Sequence, residues 1–437
     1  MTYEETCHYL FNQIPMFENQ GASGYKEGLS NTLALDEHLN HPHRNYRTIH
    51  IAGTNGKGSC AHTLSSILQQ CGYTVGLYTS PHLVDFDERI RINGEPIPHE
   101  YVIDFVQKEK AFFEPLHPSF FEVTTAMAFK YFSDKGVDIA VVEVGLGGRL
   151  DCTNIITPML SIITNISYDH QQQLGTSLEQ IAMEKAGIIK KGVPVVIGEA
   201  LAETRPIFEA VAQENGAPIT FAEDKPEVMR TEQRSGYMQY MTRNDGVLQG
   251  ALCGIYQEKN TNTILTAVRK LEEAGILYHF RKDSASEAKN RDVALGFKNV
   301  CKNTGLKGRW QTVAESPMTV CDTGHNVGGW EYLAKQLAMV KCNKMHIVFG
   351  MVEDKDVDGV LSLLPKTATY YFTKSGNKRS ISENVLKILG GQKGLIGESY
   401  STVAEAYETA RKKAEIDDFV FVGGSSYVVA DLLKNCI

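Results

Sequence analysis

The chain has no CxxC pair, no apolar run long enough to cross a bilayer, no surplus of positive charge and no internal repeat or low-complexity tract. Each absence removes a class of protein. The nine cysteines are scattered and odd in number, which argues against a zinc site and fits reduced thiols. A membrane-spanning helix needs about 20 consecutive, mostly apolar residues, and no stretch approaches that. The first residues, MTYEETCHYLFNQIPMF, are acidic early and show no basic segment ahead of an apolar core, so no secretory signal is expected. The net charge of −8 gives no broad footprint for nucleic acid or an anionic membrane. A cytoplasmic protein with neither partner is expected, and any anionic ligand must be held by a local cluster of donors.

What is present is a chain of 437 residues, 42% hydrophobic and 22% charged. That length exceeds one ordinary core, so two or more domains are expected. Short apolar runs alternate with helical stretches. RTIHIAG (47–53), YTVGLYTS (73–80), VDIAVVEVG (137–145), LSIITNI (160–166) and VPVVIG (193–198) read as buried parallel strands. After the first of them Leu64, Ile67, Leu68 and Cys71 fall on one helical face. The rhythm is βαβ, the mark of an open α/β sheet.

From about 220 to 255 the texture changes to short alternating pieces, YMQYMTR and GVLQGALCG, which suggest an antiparallel appendage. A helical stretch follows near 258–300, then the turn-rich, basic GLKGRWQ. The α/β rhythm restarts in MTVCDTG (318–324), MHIVFGM (345–351), ATYYFTK (368–374) and DFVFVGG (418–424). Division into residues 1–300, a connector at 301–316 and a smaller domain at 317–437 is expected.

The segment HIAGTNGKGSCAH (50–62) raises the functional question. A strand, a glycine-rich turn and a helix follow one another, an arrangement that points backbone N–H groups and a helix N-terminus at phosphate oxygens. Lys57 would neutralise charge, and a hydroxyl is available to magnesium. Yet the spacing is not that of the Walker loop, which has four residues between its first glycine and Gly-Lys and a hydroxyl residue straight after the lysine. Here Thr54 and Asn55 alone separate Gly53 from Gly56, and Gly58 stands between Lys57 and Ser59. A plain tight turn is the bland alternative.

Other residues sit where an open α/β sheet places its ligands, beyond strand C-termini. Ser80 and Glu143 end strands, and His170 follows another. Read singly they are equally a turn cap, a salt-bridge partner and a core histidine. Together they would offer ligands to Mg²⁺, whose preference for oxygen suits Ser80 and Glu143 better than His170. GLGGRLDCTN (145–154) lacks the spacing of a dinucleotide fingerprint; its glycines would let the backbone approach a ring. Phe120 and Phe121 read alone are as readily core residues.

GTNGKGS resembles the ATP loop of the Mur ligase superfamily, in the version of the folylpolyglutamate synthase/dihydrofolate synthase family. The resemblance continues in the family's order through GLYTSPHLVDFDERIRING (76–94), FFEVTTAMAF (120–129), VVEVGLGGRLDCTN (141–154), DHQQQLG (169–175), EKAGIIK (184–190) and CDTGHN (321–326). It covers most of the chain and is weak over 220–300. It implies a P-loop-type open-sheet domain that binds ATP and folate, bearing the small antiparallel appendage, and a C-terminal Rossmann-like α/β glutamate-ligase domain.

The resemblance also implies roles. Thr54, Asn55, Gly56, Lys57, Gly58 and Ser59 would bind ATP, Lys57 as a catalytic residue. Ser80, Glu143 and His170, with Ser59, would hold Mg²⁺, two ions in all, and His170 would also be catalytic. Lys185 matches a catalytic lysine that the family carbamylates. Asn260 of YQEKN, Arg309 of KGRWQ, and Asp322 and His325 of CDTGHN would reach ATP, the last two across an interdomain cleft. Ser119, Phe120, Phe121, Glu122, Leu150, Asp151 and Cys152 would contact a pterin. Two departures stand out: Tyr256 where the family more often has His, and Trp310 where a smaller apolar residue is common.

The implied reaction is ATP-dependent amide ligation. A pterin carboxylate takes the γ-phosphoryl group and L-glutamate displaces it. Both dihydropteroate and reduced folates are expected as substrates, because GLGGRLDCTN resembles the bifunctional members; polyglutamate synthesis alone is the alternative. A cell-wall Mur ligase fits GKGS and SPHLVDFDERI less well. A small-molecule kinase and a non-catalytic nucleotide-binding module are the readings from other classes, and neither needs Glu143, His170 and Lys185 together. A monomer is implied.

Overall fold

The structure is a computed structural model that describes residues 1–15, 28–277 and 285–437. The first sheet comprises β1 (Arg47–Ala52), β2 (Val75–Tyr78), β3 (Ile90–Ile92), β4 (Glu95–Pro96), β5 (Ile139–Glu143), β6 (Leu160–Ile163), β7 (Val195–Ile197) and β8 (Ile219–Phe221). Their order is β4-β3-β2-β5-β1-β6-β7-β8. The six strands from β2 to β8 run parallel, and β3 and β4 add an antiparallel edge. Every residue of β2, β5 and β6 is buried, as expected of parallel strands covered by helices on both faces.

A three-stranded antiparallel sheet follows, β9 (Val228–Arg234), β10 (Tyr237–Thr242) and β11 (Val247–Gly250). The last sheet contains β12 (Gln311–Glu315), β13 (Met318–Asp322), β14 (Met345–Phe349), β15 (Thr369–Thr373), β16 (Ile396–Tyr400) and β17 (Phe419–Gly423). Its order is β12-β13-β17-β14-β15-β16, parallel except for β12 against β13. The helices that matter for the site are α1 (Lys57–Gln70), α2 (Phe120–Asp134), α3 (Leu178–Ala186), α4 (Gln257–Glu273), α5 (Ala285–Lys298) and α6 (Val327–Met339).

The α/β architecture with two parallel-rich sheets and an antiparallel insert matches the expectation, and all nine apolar runs named as strands are strands. Three details differ. Helix α1 is buried from Ser59 to Leu68, not along one stripe, because α4 and α5 cover the side away from the sheet. The stretch 301–316 is not a free connector: Val300–Thr304 is helical and Gln311–Glu315 is strand β12. Trp310 causes this early start. Its ring packs on Phe419 and Phe421, its backbone N–H donates to Asp322 at 2.7 Å, and its φ is held at 45°. Finally, part of the helical stretch expected at 258–300, residues 278–284, lies outside the described residues.

Candidate active site

The glycine-rich loop leaves β1 and is pinned by the segment that leaves β6. Thr54 N donates to the Asn165 carbonyl and Asn55 N to the Asn165 side chain, both at 2.9 Å. Gly56 turns the chain into α1 at φ 86°, and a Cβ there would stand 2.3 Å from Oδ1 of Asn260. Only glycine suits that conformation and that contact. Lys57 Nζ folds back to the carbonyls of Gly53 (3.1 Å) and Thr54 (3.2 Å). The Ser59 hydroxyl accepts from Gln257 Nε2 at 3.1 Å, and Asn260 Nδ2 donates to Gln257 Oε1 at 2.9 Å. Thus α4 braces the start of α1.

A cavity of about 220 Å³ opens over this loop. It collects the expected ATP residues from Thr54 to Ser59 with Asn260, Arg309, Asp322 and His325, and Ser80, Glu143, His170 and Lys185 line it too. Glycine loop, strand ends and second sheet therefore face one space.

Glu143 is 4% exposed and makes no ion pair among the described residues. Ser80 N donates to its Oε2 at 3.2 Å. Burial pushes its carboxyl above the usual range, opposed by Lys57, the Ser80 amide and Arg309. A buried carboxylate that forms no ion pair, next to a serine, is the donor set that Mg²⁺ prefers, so Ser80 and Glu143 fit the ion. His170 is held neutral, its pKa lowered to about 3 by burial and then by Lys355. Its Nε2 lies 3.3 Å from Lys355 Nζ, so the second domain already meets that nitrogen.

Lys185, on α3, is 4% exposed and donates to the Gly53 carbonyl at 3.0 Å. Burial, then the Lys57 ammonium, lowers its pKa to about 7. A neutral, nucleophilic amine is therefore available near neutral pH.

The second cavity, about 210 Å³, is the more apolar one and meets the first at Ser80, Gly145, Leu146, His170 and His325. Ser119, Phe120, Phe121, Leu150, Asp151 and Cys152 line it. Phe121 stacks on Tyr78, and a Cβ on Gly145 would stand 2.5 Å from the Phe121 ring. The glycine of GLGGRLDCTN thus makes room for a ring of the protein itself. Asp151 shapes the cavity from behind, accepting from Leu146 N and Thr153 N at 2.9 Å each.

Glu122 is the expectation that the structure corrects. It does not line the cavity. Its carboxylate accepts from Ser119 N at 2.6 Å while Ser119 Oγ accepts from Glu122 N. That is a capping box at the start of α2. Asp322 lines the first cavity, yet its oxygens are taken by Tyr256 Oη (2.5 Å), Trp310 N (2.7 Å) and Gly324 N (2.8 Å). Both residues that depart from the family pattern are thus bonded to the same carboxylate.

Sequence reading missed the second domain's contribution. Lys355, Arg379 and Tyr427 line the second cavity. Lys355 Nζ donates to Asp169 Oδ1 at 2.7 Å, and Arg379 pairs with Asp354 at 2.9 Å. Lys355 follows β14 and Tyr427 follows β17, so the strand-end rule applied to the first sheet would have found both.

Fold and site together define an ATP-dependent ligase of the Mur type, forming carbon–nitrogen bonds: residues 51–261 match the Mur ligase middle domain, and residues 308–426 match the Mur ligase glutamate ligase domain. The chain is 32% identical over 427 residues to dihydrofolate synthase/folylpolyglutamate synthase of Bacillus subtilis, covering 94% of this chain and 95% of that protein. It is 33% identical over 397 residues to the Escherichia coli protein of the same name, covering 88% and 85%. The chain spans half the length of a Haloferax volcanii protein described as a probable bifunctional folylpolyglutamate synthase/dihydropteroate synthase, at 31% identity. Escherichia coli FolC in complex with DHPP and ADP superposes with a TM-score of 0.82 at 30% identity, covering 99% of this chain and 97% of that one. The Yersinia pestis bifunctional synthase complexed with AMPPNP and Mn ion gives 0.80 at 28%, covering 99% and 97%. The chain belongs to the dihydrofolate synthase/folylpolyglutamate synthase family.

Proposed function

We propose that the protein ligates L-glutamate to a pterin carboxylate through an acyl phosphate, acting on both dihydropteroate and reduced folates. The observation that carries this is the junction of the two cavities at Ser80, His170 and His325. A carboxylate at the end of a molecule in the apolar cavity would there meet the γ-phosphate of ATP over the glycine loop. The likeness to a FolC bound to DHPP and ADP supports the same pairing of ligands.

In this reading Lys57 leaves the Gly53 and Thr54 carbonyls for the transferring phosphoryl group, and the loop amides hold the neighbouring phosphates. Ser80 and Glu143, with His170 and Ser59, would hold Mg²⁺, two ions in all, which neutralises phosphate charge. Lys185, neutral near pH 7, is suited to carbamylation, which would turn an ammonium into an anionic oxygen ligand. Asn260, Arg309 and His325 would fix ATP from the far side, while Asp322 orders the wall through Tyr256 and Trp310. Lys355 and Arg379 are cations on the second-domain side of the pterin cavity, where the carboxylates of L-glutamate need partners. Closure of the domains keeps water from the acyl phosphate.

We divide the chain into a first domain over 1–300, a linker at 301–316 that itself carries a short helix and β12, and a second domain over 317–437. Nine cysteines without a disulfide support a reducing cytoplasm. No helix among the described residues is long and apolar enough to cross a membrane. We assign the active form as a monomer, since both cavities are built from one chain.

The test is phosphate release from ATP with dihydropteroate, tetrahydrofolate or neither, each with and without L-glutamate. Release that requires a pterin and is accelerated by glutamate is expected for both substrates. Activity with tetrahydrofolate alone would reduce the protein to a polyglutamate synthase, and release indifferent to glutamate would remove the ligase reading.

A further inference from the structure

A third cavity backs onto the reaction centre. At about 110 Å³ it is half the volume of either cavity above. It shares Gly58, Ser80, Glu143 and Arg309 with the nucleotide cleft, and Ser80, Pro81, His325 and Ser426, though neither Phe120 nor Phe121, with the pterin cavity. Its remaining wall includes His62 from α1, Arg91 from β3 and Lys307 from the segment before β12.

Two of these side chains are buried with unsatisfied nitrogens. Arg91 is 8% exposed; its Nη1 donates to the Gly94 carbonyl at 3.0 Å, while its Nε has no partner and no ion pair forms among the described residues. His62 is 6% exposed; its ring engages the Thr304 backbone, and its Nδ1 has no partner. Buried polar groups are normally paired, and an unpaired buried charge is costly. Both nitrogens are closed to solvent, so an anion in the cavity would meet Arg91 through its charge and not through these atoms. Glu88, one of two acids on this wall, already accepts from the backbone N–H groups of Leu83 (2.8 Å) and Val84 (3.3 Å). The other, Glu143, belongs to the site with Ser80. Glu88 also acts on the Arg91 charge, and the three cations Arg91, Lys307 and Arg309 stand against these two carboxylates, which leaves the wall with a net positive charge.

We propose that this cavity binds inorganic orthophosphate and is the route by which that product leaves the reaction centre. The inference rests on the ligase reading. When the glutamate amine attacks the acyl phosphate, a C–N bond forms, the C–O bond to phosphate breaks, and the amine loses its proton. Orthophosphate is then released at the wall formed by Ser80, Glu143 and Arg309. ADP fills the nucleotide cleft and the elongated pterin fills the second cavity, so the third is the space next to that wall that neither product holds.

Hydrogenphosphate presents more anionic oxygens to Arg91, Lys307 and Arg309 than a carboxylate does.

The test is calorimetric titration of the MgADP-loaded protein with inorganic phosphate, paired with phosphate inhibition of ADP formation during turnover. Arg91→Gln should weaken phosphate at least tenfold and Lys307→Gln about threefold, with KM for ATP within twofold of wild type. Lys307 is exposed, so its variant decides the matter should Arg91→Gln fail to fold. Unchanged phosphate affinity in Lys307→Gln would overturn the proposal. So would a defect confined to KM for long γ-glutamyl-tailed substrates, which would make this a tail site. Phosphate binding by a wild type that shows no glutamate-dependent turnover would strike the ligase reading and leave the anion site standing.

Discussion

The side-chain amides of Asn55 and Asn326 exchange two hydrogen bonds. Asn55 Nδ2 donates to Asn326 Oδ1 at 3.1 Å, and Asn326 Nδ2 donates to Asn55 Oδ1 at 3.0 Å. The glycine loop is thereby fastened to the second domain 271 residues away in sequence. Asn326 Nδ2 also reaches Asp169 Oδ2 at 3.1 Å, and Lys355 holds the other oxygen of that carboxylate. Four side chains thus join the ATP loop, the segment after β6 and the second sheet in one network, the kind of contact that can report closure to the loop.

Asn326→Ser tests the clasp. Asn326 also caps α6 by accepting from Gly329 N at 2.9 Å, and serine preserves a capping oxygen but cannot span to Asn55. The fold should persist while glutamate-dependent kcat falls about tenfold, the rate equivalent of ~1.4 kcal/mol. The ratio of phosphate released to amide formed should rise above one as acyl phosphate is lost to water. A ratio that stays at one would show that closure does not depend on this pair.

Lys185 gives a pH dependence with a definite sign. An ordinary lysine, with a pKa near 10.4, is neutral in only about one molecule in a few thousand at pH 7; Lys185, lowered to about 7, is neutral in roughly half. Carbamylation uses the neutral amine, so ¹³C-bicarbonate should give a carbamate NMR signal stronger at pH 8 than at pH 6 and absent in Lys185→Arg. Stripping carbon dioxide should lower activity, and bicarbonate should restore it. Without the carbamate, the unfolded state binds more protons at this position between pH 7 and about 10.4, so its contribution to stability rises with pH across that window.

Phe121→Ala removes a ring that stacks on Tyr78 and borders Gly145. Aromatic contacts of this kind contribute ~0.5–1.5 kcal/mol beyond burial. KM for dihydropteroate should therefore rise about two- to tenfold with KM for ATP unchanged. Steady-state kinetics with each substrate varied in turn checks it; equal changes in both constants would point to a general loss of structure.

Tyr256→Phe removes the hydroxyl that donates to Asp322 across the boundary between α4 and the second sheet. Burial pushes the Asp322 carboxyl up, and the Tyr256 hydrogen bond is the first of the groups that oppose it. Leaving a buried acceptor short of a donor costs ~1–3 kcal/mol, measurable as a lower denaturant midpoint at unchanged slope.

The strands were legible because parallel strands buried on both faces become uninterrupted apolar runs, and the loop was legible because Gly53, Gly56, Lys57 and Ser59 stand between a strand and a helix. Strand β16 was not, since its residues are largely exposed or half-buried and show no such run. Glu122 came with its neighbours from the resemblance, and sequence alone does not distinguish a carboxylate in a capping box from one in a pocket. The Asn55–Asn326 clasp, the Lys355–Asp169 pair and the unpaired Arg91 were invisible for a different reason. They arise from tertiary contacts between residues far apart in the chain, and no local period encodes them.

The central claim, activation of a pterin carboxylate by phosphoryl transfer, is tested most directly with dihydropteroate labelled with ¹⁸O in its carboxyl group. Mass spectrometry of the orthophosphate formed with ATP and L-glutamate should find one ¹⁸O per phosphate, transferred when the acyl phosphate breaks. Orthophosphate without ¹⁸O beside a normal yield of amide would contradict the account.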